Sequence, residues 1–143
     1  MQIKDIMSTN VATVEADDTV EQAARLMEML NVGSIPVCEG NRIIGILTDR
    51  DIALRSVARG QNVRRQRVRS VMSNNPVVGT PEMDVHEAAG LMSRRQVRRL
   101  PVVQNGALVG IVALGDLSVQ PALQDNAQQA LANISRPDDG YLT

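Results

Sequence analysis

The pattern of apolar and polar positions is most informative at residues 43–60. An apolar run at residues 43–47 ends abruptly in the polar stretch Thr48-Asp49-Arg50-Asp51, and apolar positions then recur at helical spacing as far as Gly60. A short apolar run followed by a 3.6-residue period predicts a buried strand that turns directly into a helix. Thr48 is a favourable N-cap and Gly60 a favourable residue just past the end, so the helix is predicted between them.

The same pattern recurs 65 residues further on, because the chain is a tandem duplication. Residues 6–52 align with residues 71–117 without a gap. Polar as well as apolar residues are identical in the two copies: Met7-Ser8 matches Met72-Ser73, Pro36-Val37 matches Pro101-Val102, Gly45-Ile46 matches Gly110-Ile111, and Asp51 matches Asp116. A repeat of this length predicts two copies of one supersecondary unit.

Each copy predicts the same succession of elements, in a mixed α+β (α/β) arrangement. A short polar-to-apolar stretch, at residues 11–14 and again at 76–78, precedes a helix that a capping box opens. Two strands follow, and the second turns directly into a closing helix; this strand-to-helix turn is the corner of the repeat. The capping boxes pair Thr19 with Gln22 and Asp84 with Glu87, the later strands lie at residues 34–38, 42–47, 100–103 and 107–112, and Asn105-Gly106 forms a tight hairpin turn.

One copy alone would leave an apolar face exposed, so we expect the two copies to pack together with pseudo-twofold symmetry. The connector between them is too short to separate independent domains. The predicted divisions are repeat 1 at residues 1–60, an arginine-rich linker at 61–70, repeat 2 at 71–120, and a C-terminal helix and tail at 121–143, with the helix at 126–134.

Composition excludes several classes of protein. No apolar run reaches membrane-spanning length and no basic-then-apolar leader opens the chain, so no membrane span and no secretory signal are expected. The single cysteine, Cys38, excludes an internal disulfide, favours a cytoplasmic location, and is predicted to be a small core residue. With one tyrosine and no phenylalanine or tryptophan, the chain lacks the aromatic platforms that stack bases, so a nucleic-acid partner is not expected.

The net charge is −1, but basic residues are concentrated in the middle of the chain. Residues 52–115 hold ten arginines against three acidic residues. The planar guanidinium group suits phosphate and carboxylate oxygens, whereas an isolated surface charge usually has no such role. Arg64, Arg65, Arg67 and Arg69 are interpreted as charges of the linker.

The first corner carries the candidate binding chemistry. First-turn amides of a helix lack internal partners and attract anions; Thr48 could add a hydroxyl, and Asp51 could accept hydrogen bonds from a diol. The structural alternative is that Thr48 only caps its helix and that Asp51 and Asp116 only complement the helix dipole. One histidine and one cysteine provide neither a zinc site nor a nucleophile–base pair, and no Walker-type phosphate loop is present, so neither metal nor catalysis is expected.

The repeated strand and corner motifs resemble a CBS domain pair, the Bateman module. They are Val-Gly-Ser-Ile-Pro-Val (32–37) with Gly-Ile-Leu-Thr-Asp-Arg-Asp (45–51), and Val-Arg-Arg-Leu-Pro-Val (97–102) with Gly-Ile-Val-Ala-Leu-Gly-Asp (110–116). The resemblance covers roughly residues 1–120. It implies the order β-α-β-β-α per repeat, a disc-shaped homodimer of two modules, and clefts between repeats that bind adenosine-containing ligands such as AMP, ADP, ATP or S-adenosylmethionine.

In that family the Gly-x-x-Thr/Ser-x-x-Asp corner holds phosphate and ribose, and each cleft borrows residues from the opposite repeat. The second corner departs from the pattern at Ala113, which has no hydroxyl, and alternation should send Arg98 and Arg99 to opposite faces of their strand. The resemblance therefore implies a tighter first site made of Thr48, Arg50, Asp51, Pro76, Val77, Val97, Arg98 and Arg99, and a weaker second site made of Val11, Ala12, Gly33, Ser34 and Asp116.

These observations predict a non-catalytic, homodimeric regulatory protein that binds adenine nucleotides, with NAD as a further candidate, and signals in trans to a protein partner. The alternative is a ligand-free interaction or nucleic-acid-binding scaffold that uses the arginine-rich surface. Salt-sensitive binding of DNA or RNA without a nucleotide response would favour that alternative. An enzyme has little support among the residues.

Overall fold

The computed structural model describes residues 1–118 and 134, and its elements confirm the predicted mixed α+β class. The described strands are β1 (Val14–Glu15), β2 (Ser34–Glu39), β3 (Arg42–Thr48), β4 (Ser73–Asn74), β5 (Arg99–Gln104) and β6 (Ala107–Ala113). The described α-helices are α1 (Val20–Leu30), α2 (Asp49–Ile52), α3 (Val85–Arg95) and α4 (Leu114–Ser118). The helix predicted at residues 126–134 lies outside the described residues except for Ile134, which is helical.

The described chain forms two compact units whose boundaries differ from those of the sequence repeats. The N-repeat unit contains residues 12–76 and 106–108. The C-repeat unit contains residues 1–11, 77–105 and, among the described residues, 109–118. The segment that leads into each repeat therefore belongs to the unit built around the other repeat.

The N-repeat unit has a small sheet covered by α1. β2 pairs with β1 in parallel and with β3 antiparallel, and β4 pairs antiparallel with β3. Val20, Ala23 and Met27 lie at helical spacing on α1 and are buried against Ile35 and Leu47 of the sheet. The amphipathic pattern of α1 thus supplies one side of this core.

The segment predicted as an arginine-rich linker is built into the N-repeat unit. Val68, in a 3-10 turn at Val68–Ser70, is fully buried in the core, and its N–H donates to the carbonyl oxygen of Asp18 at 2.9 Å. Arg69 forms an ion pair with Glu39 at 3.0 Å, and this hydrogen bond is the main reason that the pKa of Arg69 is raised. The segment is therefore held by the buried Val68 side chain together with main-chain hydrogen bonds, such as that from the N–H of Arg69 to the carbonyl oxygen of Ala16 at 2.9 Å.

The core of the C-repeat unit depends on the first residues of the chain. Ile3 is fully buried in one cluster with Ala88, Met92 and Leu100. The N–H of Ile3 also donates to the carbonyl oxygen of Met83 at 2.9 Å. The leading segment is therefore a structural part of this unit.

Helix capping follows the sequence signals closely, with one difference. The N–H of Gln22 donates to the Thr19 hydroxyl at 3.1 Å and the N–H of Thr19 donates to the Gln22 side chain at 2.8 Å, which confirms the first capping box. Asp84 caps α3, but its carboxylate accepts from the N–H of His86 at 2.9 Å instead of pairing with Glu87, so the second predicted box is wrong. The bond from the His86 amide lowers the pKa of Asp84.

The polar-to-apolar stretch at residues 76–78 of the second copy forms no strand. The described pairing next to it is limited to a single parallel bridge between Gly79 and Val102. Pro76 has no N–H to donate to a strand ladder. The tight turn at Asn105-Gly106 is confirmed, with φ of 52° and 81° at its two residues.

The helix after the first corner is irregular. α2 continues into one π-helical turn at Ala53–Val57, in which the N–H of Ala58 donates to the carbonyl oxygen of Ala53 at 2.9 Å. Gly60 follows with φ of 67°, as its predicted role at the helix end requires. Ser56 in the π turn is fully buried, and its hydroxyl has no hydrogen-bond partner among the described residues.

Replacing Ser56 with alanine should stabilise the protein, because it removes a buried polar group that is unpaired in the folded state. The expected gain in the free energy of unfolding is about 1 kcal/mol. A urea titration followed by circular dichroism measures it. Ser70→Ala is the matched control, since the Ser70 hydroxyl donates to the carbonyl oxygen of Arg67 at 2.8 Å; a gain in Ser70→Ala as large as that in Ser56→Ala would contradict the explanation.

Two further expectations concern the core and the membrane. Cys38 is buried, with 1% of its surface exposed, which confirms the prediction of a small core residue. Burial raises the pKa of its thiol, and the charge of Glu15 adds to this.

Within residues 1–118 and 134, no helix is long and apolar enough to cross a membrane.

Candidate functional site

The first corner is a reciprocal capping box at the junction of β3 and α2. The N–H of Asp51 donates to the hydroxyl oxygen of Thr48 at 3.0 Å, and the N–H of Thr48 donates to Oδ2 of Asp51 at 3.0 Å. The role predicted for Thr48 as an N-cap is confirmed. Asp51 is 8% exposed, so its carboxylate is held in a nearly closed environment rather than in bulk solvent.

A second hydroxyl reaches the Asp51 carboxylate. Ser73 Oγ lies 3.4 Å from both Oδ1 and Oδ2. In the described chain Oδ2 also accepts the amide of Thr48, whereas Oδ1 receives only this long contact. A carboxylate oxygen has two acceptor positions, so Oδ1 retains capacity for a donor from a ligand.

The position of Ser73 follows from the close approach of β4 to β3. Gly45 pairs with Asn74 and Ile46 pairs with Ser73. A Cβ atom added at Gly45 would lie 2.7 Å from the carbonyl oxygen of Ser73 and 2.8 Å from Sδ of Met72, closer than real side chains come. The absence of a side chain at Gly45 therefore allows β4 to lie against the strand.

The second corner is half of the same arrangement. The N–H of Ala113 donates to Oδ2 of Asp116 at 2.9 Å, as the N–H of Thr48 does to Asp51. Ala113 has no hydroxyl to accept from Asp116 in return. Asp116 is half-buried. The second corner therefore has the carboxylate of the first but not its hydroxyl.

Each corner is bonded to the loop before the first hairpin strand of its own repeat. The N–H of Asp49 donates to the carbonyl oxygen of Gly33 at 2.9 Å, and the N–H of Leu114 donates to that of Arg98 at 2.8 Å. Gly33 is thus beside the first corner and Arg98 beside the second. The assignment of Gly33 to the second site and of Arg98 to the first stays a prediction.

The remaining predicted site residues are divided between the two units. Arg98 is exposed, Arg99 is half-buried at the start of β5, and Leu100 after it is buried. Arg50 is exposed, and its N–H donates to Oδ1 of Asp49 at 2.8 Å. Ala12, Gly33, Ser34, Arg50 and Pro76 belong to the N-repeat unit, whereas Val11, Val77, Val97, Arg98 and Arg99 belong to the C-repeat unit.

Sequence reasoning did not include Ser73 in the site. Ser73 is identical to Ser8 in the alignment of the two repeats. That identity indicates the duplication, but it does not predict a contact with Asp51. The contact depends on the pairing of β4 with β3, a strand of the other repeat. Within the described residues, no group of three or more histidine, cysteine, aspartate or glutamate side chains is placed to hold a metal ion.

Comparisons with known proteins show the family to which the chain belongs. The model of the CBS domain family matches residues 3–57 and 68–119. The chain is 50% identical over 133 residues to the CBS domain-containing protein YhcV of Bacillus subtilis, covering 93% of this chain and 94% of YhcV. It superposes on a CBS domain protein, TA0289 of Thermoplasma acidophilum, with a TM-score of 0.81 and 27% identity, covering 96% of this chain and 78% of the other.

A further solved structure to which the chain is similar contains bound ligands. It is the CBS domain pair of protein MJ0100 in complex with 5-methylthioadenosine and S-adenosyl-L-methionine. The two chains share 27% identity with a TM-score of 0.71, and the match covers 82% of this chain and 97% of the other.

Proposed function

Since the chain belongs to the CBS domain family, we propose that it is a non-catalytic regulatory module that binds an adenosine-containing ligand. AMP, ADP and ATP are the first candidates, with S-adenosylmethionine and NAD after them. The complex of the related MJ0100 domain pair with 5-methylthioadenosine and S-adenosyl-L-methionine supports an adenosine ligand. The shared part of those two molecules is an adenosine whose ribose carries a diol.

The observation that supports the proposal most strongly is the burial and hydrogen bonding of the Asp51 carboxylate. It is 8% exposed, held at Oδ2 by the amide of Thr48, and free to accept further donors at Oδ1 among the described contacts. A fixed carboxylate with an available oxygen is suited to the two hydroxyl donors of a ribose. Capping uses one oxygen of Asp51, so capping and ligand binding are compatible.

The phosphate part of the proposal rests on sequence reasoning. We assign Thr48, Arg50, Arg98 and Arg99 to phosphate oxygens, since guanidinium and hydroxyl groups are donors that suit them. Pro76, Val77 and Val97 supply apolar surface for the base. The weaker second site is assigned to Val11, Ala12, Gly33, Ser34 and Asp116, because Ala113 removes the hydroxyl from its corner.

The proposed output is a change in an interaction with a protein partner. The family resemblance favours a homodimer of two modules, and the single buried thiol favours a cytoplasmic location. A ligand can alter such an interaction only if it binds the two states with unequal affinity. The partner is therefore expected to change the apparent affinity for the nucleotide by the same factor.

Isothermal titration calorimetry with AMP, ADP, ATP, NAD and S-adenosylmethionine tests the proposal. At least one should bind the wild-type protein. Arg98→Ala should lower the affinity for AMP while leaving the affinity for adenosine unchanged. Arg25→Ala is a matched control, since Arg25 is an exposed arginine whose ion pair with Glu21 lies within α1. If no member of the panel binds, the proposed function is wrong.

The alternative, an interaction scaffold, draws on the ordered arginine segment at residues 61–70. Arg64 and Arg69 there are paired with Glu21 and Glu39 of the same unit, which reduces the positive charge available to an acidic partner. Binding of DNA or RNA that is lost on raising the salt concentration, without any response to nucleotides, would favour the scaffold.

A further inference from the structure

We propose that Ser73 is a positioning residue that orients the Asp51 carboxylate for a ligand with a ribose diol. The inference rests on the proposed function and adds a specificity determinant to its first site. Ser73 Oγ lies 3.4 Å from each carboxylate oxygen of Asp51. The main role of the hydroxyl is thus to donate one proton to a carboxylate that is already fixed at Oδ2 by the Thr48 amide.

The backbone pairing of β4 with β3 brings Ser73 to the first corner. Ser73 pairs with Ile46, and Gly45 beside it leaves room for the carbonyl oxygen of Ser73, which a Cβ atom would approach to 2.7 Å. The pairing of β4 with β3 fixes the position of the Cα and Cβ atoms of Ser73. Asp51 is fixed independently by its own capping box, so the two groups meet as parts of one scaffold.

The two distances of 3.4 Å are longer than a strong O–H···O bond, which is about 2.7–2.8 Å. The Ser73 proton can therefore serve either oxygen. When a ribose hydroxyl donates to Oδ1, the Ser73 hydroxyl can donate to Oδ2, so that both carboxylate oxygens are satisfied and the plane of the group is fixed. A ligand without hydroxyls on its ribose gains nothing from that arrangement.

The equivalent residue in the other unit provides a matched control. Ser8 pairs with Ile111 through two main-chain hydrogen bonds of 2.9 Å, as its position in the duplication requires. In the described chain no side-chain hydrogen bond joins Ser8 to Asp116, whose Oδ2 accepts from the N–H of Ala113. The positioning contact is thus present at the first corner and absent from the second.

Titration calorimetry of Ser73→Ala with AMP and with 2′,3′-dideoxy-AMP tests the inference. Loss of one hydrogen bond to the carboxylate should lower the affinity for AMP by about three- to tenfold. The affinity for the dideoxy analogue should not change. Ser73→Thr, which keeps the hydroxyl at an exposed position, should bind AMP like the wild-type protein, and so should Ser8→Ala.

The outcomes separate this inference from the proposed function. If the wild-type protein binds AMP but Ser73→Ala binds it equally well, or loses the same factor for AMP and for the dideoxy analogue, the positioning role is wrong while nucleotide binding stands. If the wild-type protein does not bind AMP, the proposed function fails for this nucleotide, and the inference fails with it.

Discussion

Asp51→Ala is expected to lower the affinity of the first site for AMP by roughly 10- to 100-fold, the range for hydrogen bonds to a charged acceptor. Asp51 is 8% exposed and its Oδ1 is the oxygen left with acceptor capacity by the contacts of Thr48 and Ser73. Removing the carboxylate takes away the oxygen that accepts from the ribose diol. The change is measured as a shift in Kd by titration calorimetry.

Asp116→Ala is the matched control for this prediction. Asp116 occupies the equivalent position in the duplication, and its carboxylate accepts from the N–H of Ala113 at 2.9 Å, with no hydroxyl bonded to it among the described residues. The tighter AMP-binding event should remain within about twofold of wild type, since loss of a remote group leaves its hydrogen bonds intact. Equal losses in Asp51→Ala and Asp116→Ala would contradict the assignment of the tighter site to the first corner.

The loss of a capping residue must be separated from the loss of a ligand contact. Asp51→Ala removes the bond from the Thr48 N–H at 3.0 Å, which should lower the free energy of unfolding by about 1 kcal/mol. Thermal unfolding without nucleotide measures that cost. A variant that is fully folded at the titration temperature and still fails to bind AMP supports a direct contact.

Gly45→Ala is expected to destabilise the protein by about 1–3 kcal/mol, the usual range for overpacking. The added Cβ would lie 2.7 Å from the carbonyl oxygen of Ser73 and 2.8 Å from Sδ of Met72. The Met72 side chain can move, but the Ser73 carbonyl belongs to β4, so the strand itself must shift. A urea titration followed by circular dichroism measures the free energy of unfolding.

Gly115→Ala controls for the general effect of replacing glycine. A Cβ atom at Gly115 would meet none of the described residues within 4 Å, and the residue lies in helix α4. Alanine is favoured over glycine in a helix by about 1 kcal/mol, so this variant should be as stable as wild type or more stable. A Gly45→Ala protein with wild-type stability would show that close approach of β4 is not required.

Local structure could be predicted from the sequence where the backbone requires a particular residue type, as at a helix cap or a tight turn. Thr48 caps α2, Gly60 takes a positive φ, and Asn105-Gly106 forms the hairpin turn. These features depend on neighbours within a few residues, which a sequence displays directly. The duplication helped, because each signal could be checked against its counterpart 65 residues away.

Features that depend on distant pairing could not be predicted in the same way. The hydroxyl of Ser73 contacts Asp51 only because β4 pairs with β3 and because Gly45 permits the approach. Likewise, Ile3 completes the core of the C-repeat unit although it precedes the first repeat's elements. Apolar periodicity shows which face of an element is buried, but not which segment covers it.

The π turn at Ala53–Val57 could not be predicted from the pattern of apolar residues either. Its apolar spacing matches an ordinary helix, although the N–H of Ala58 donates to the carbonyl oxygen of Ala53, five residues back. The buried Ser56 hydroxyl within it could have been noticed as a polar residue in a helix, yet serine in that position usually faces solvent or bonds to the preceding turn.

A crystal structure of the protein with AMP tests the central claim most directly. We predict a ribose whose hydroxyls lie within about 3.2 Å of Asp51 Oδ1, the upper range of a hydrogen bond. Density for AMP at any place other than the Thr48–Asp51 corner, with that corner unchanged, would contradict it.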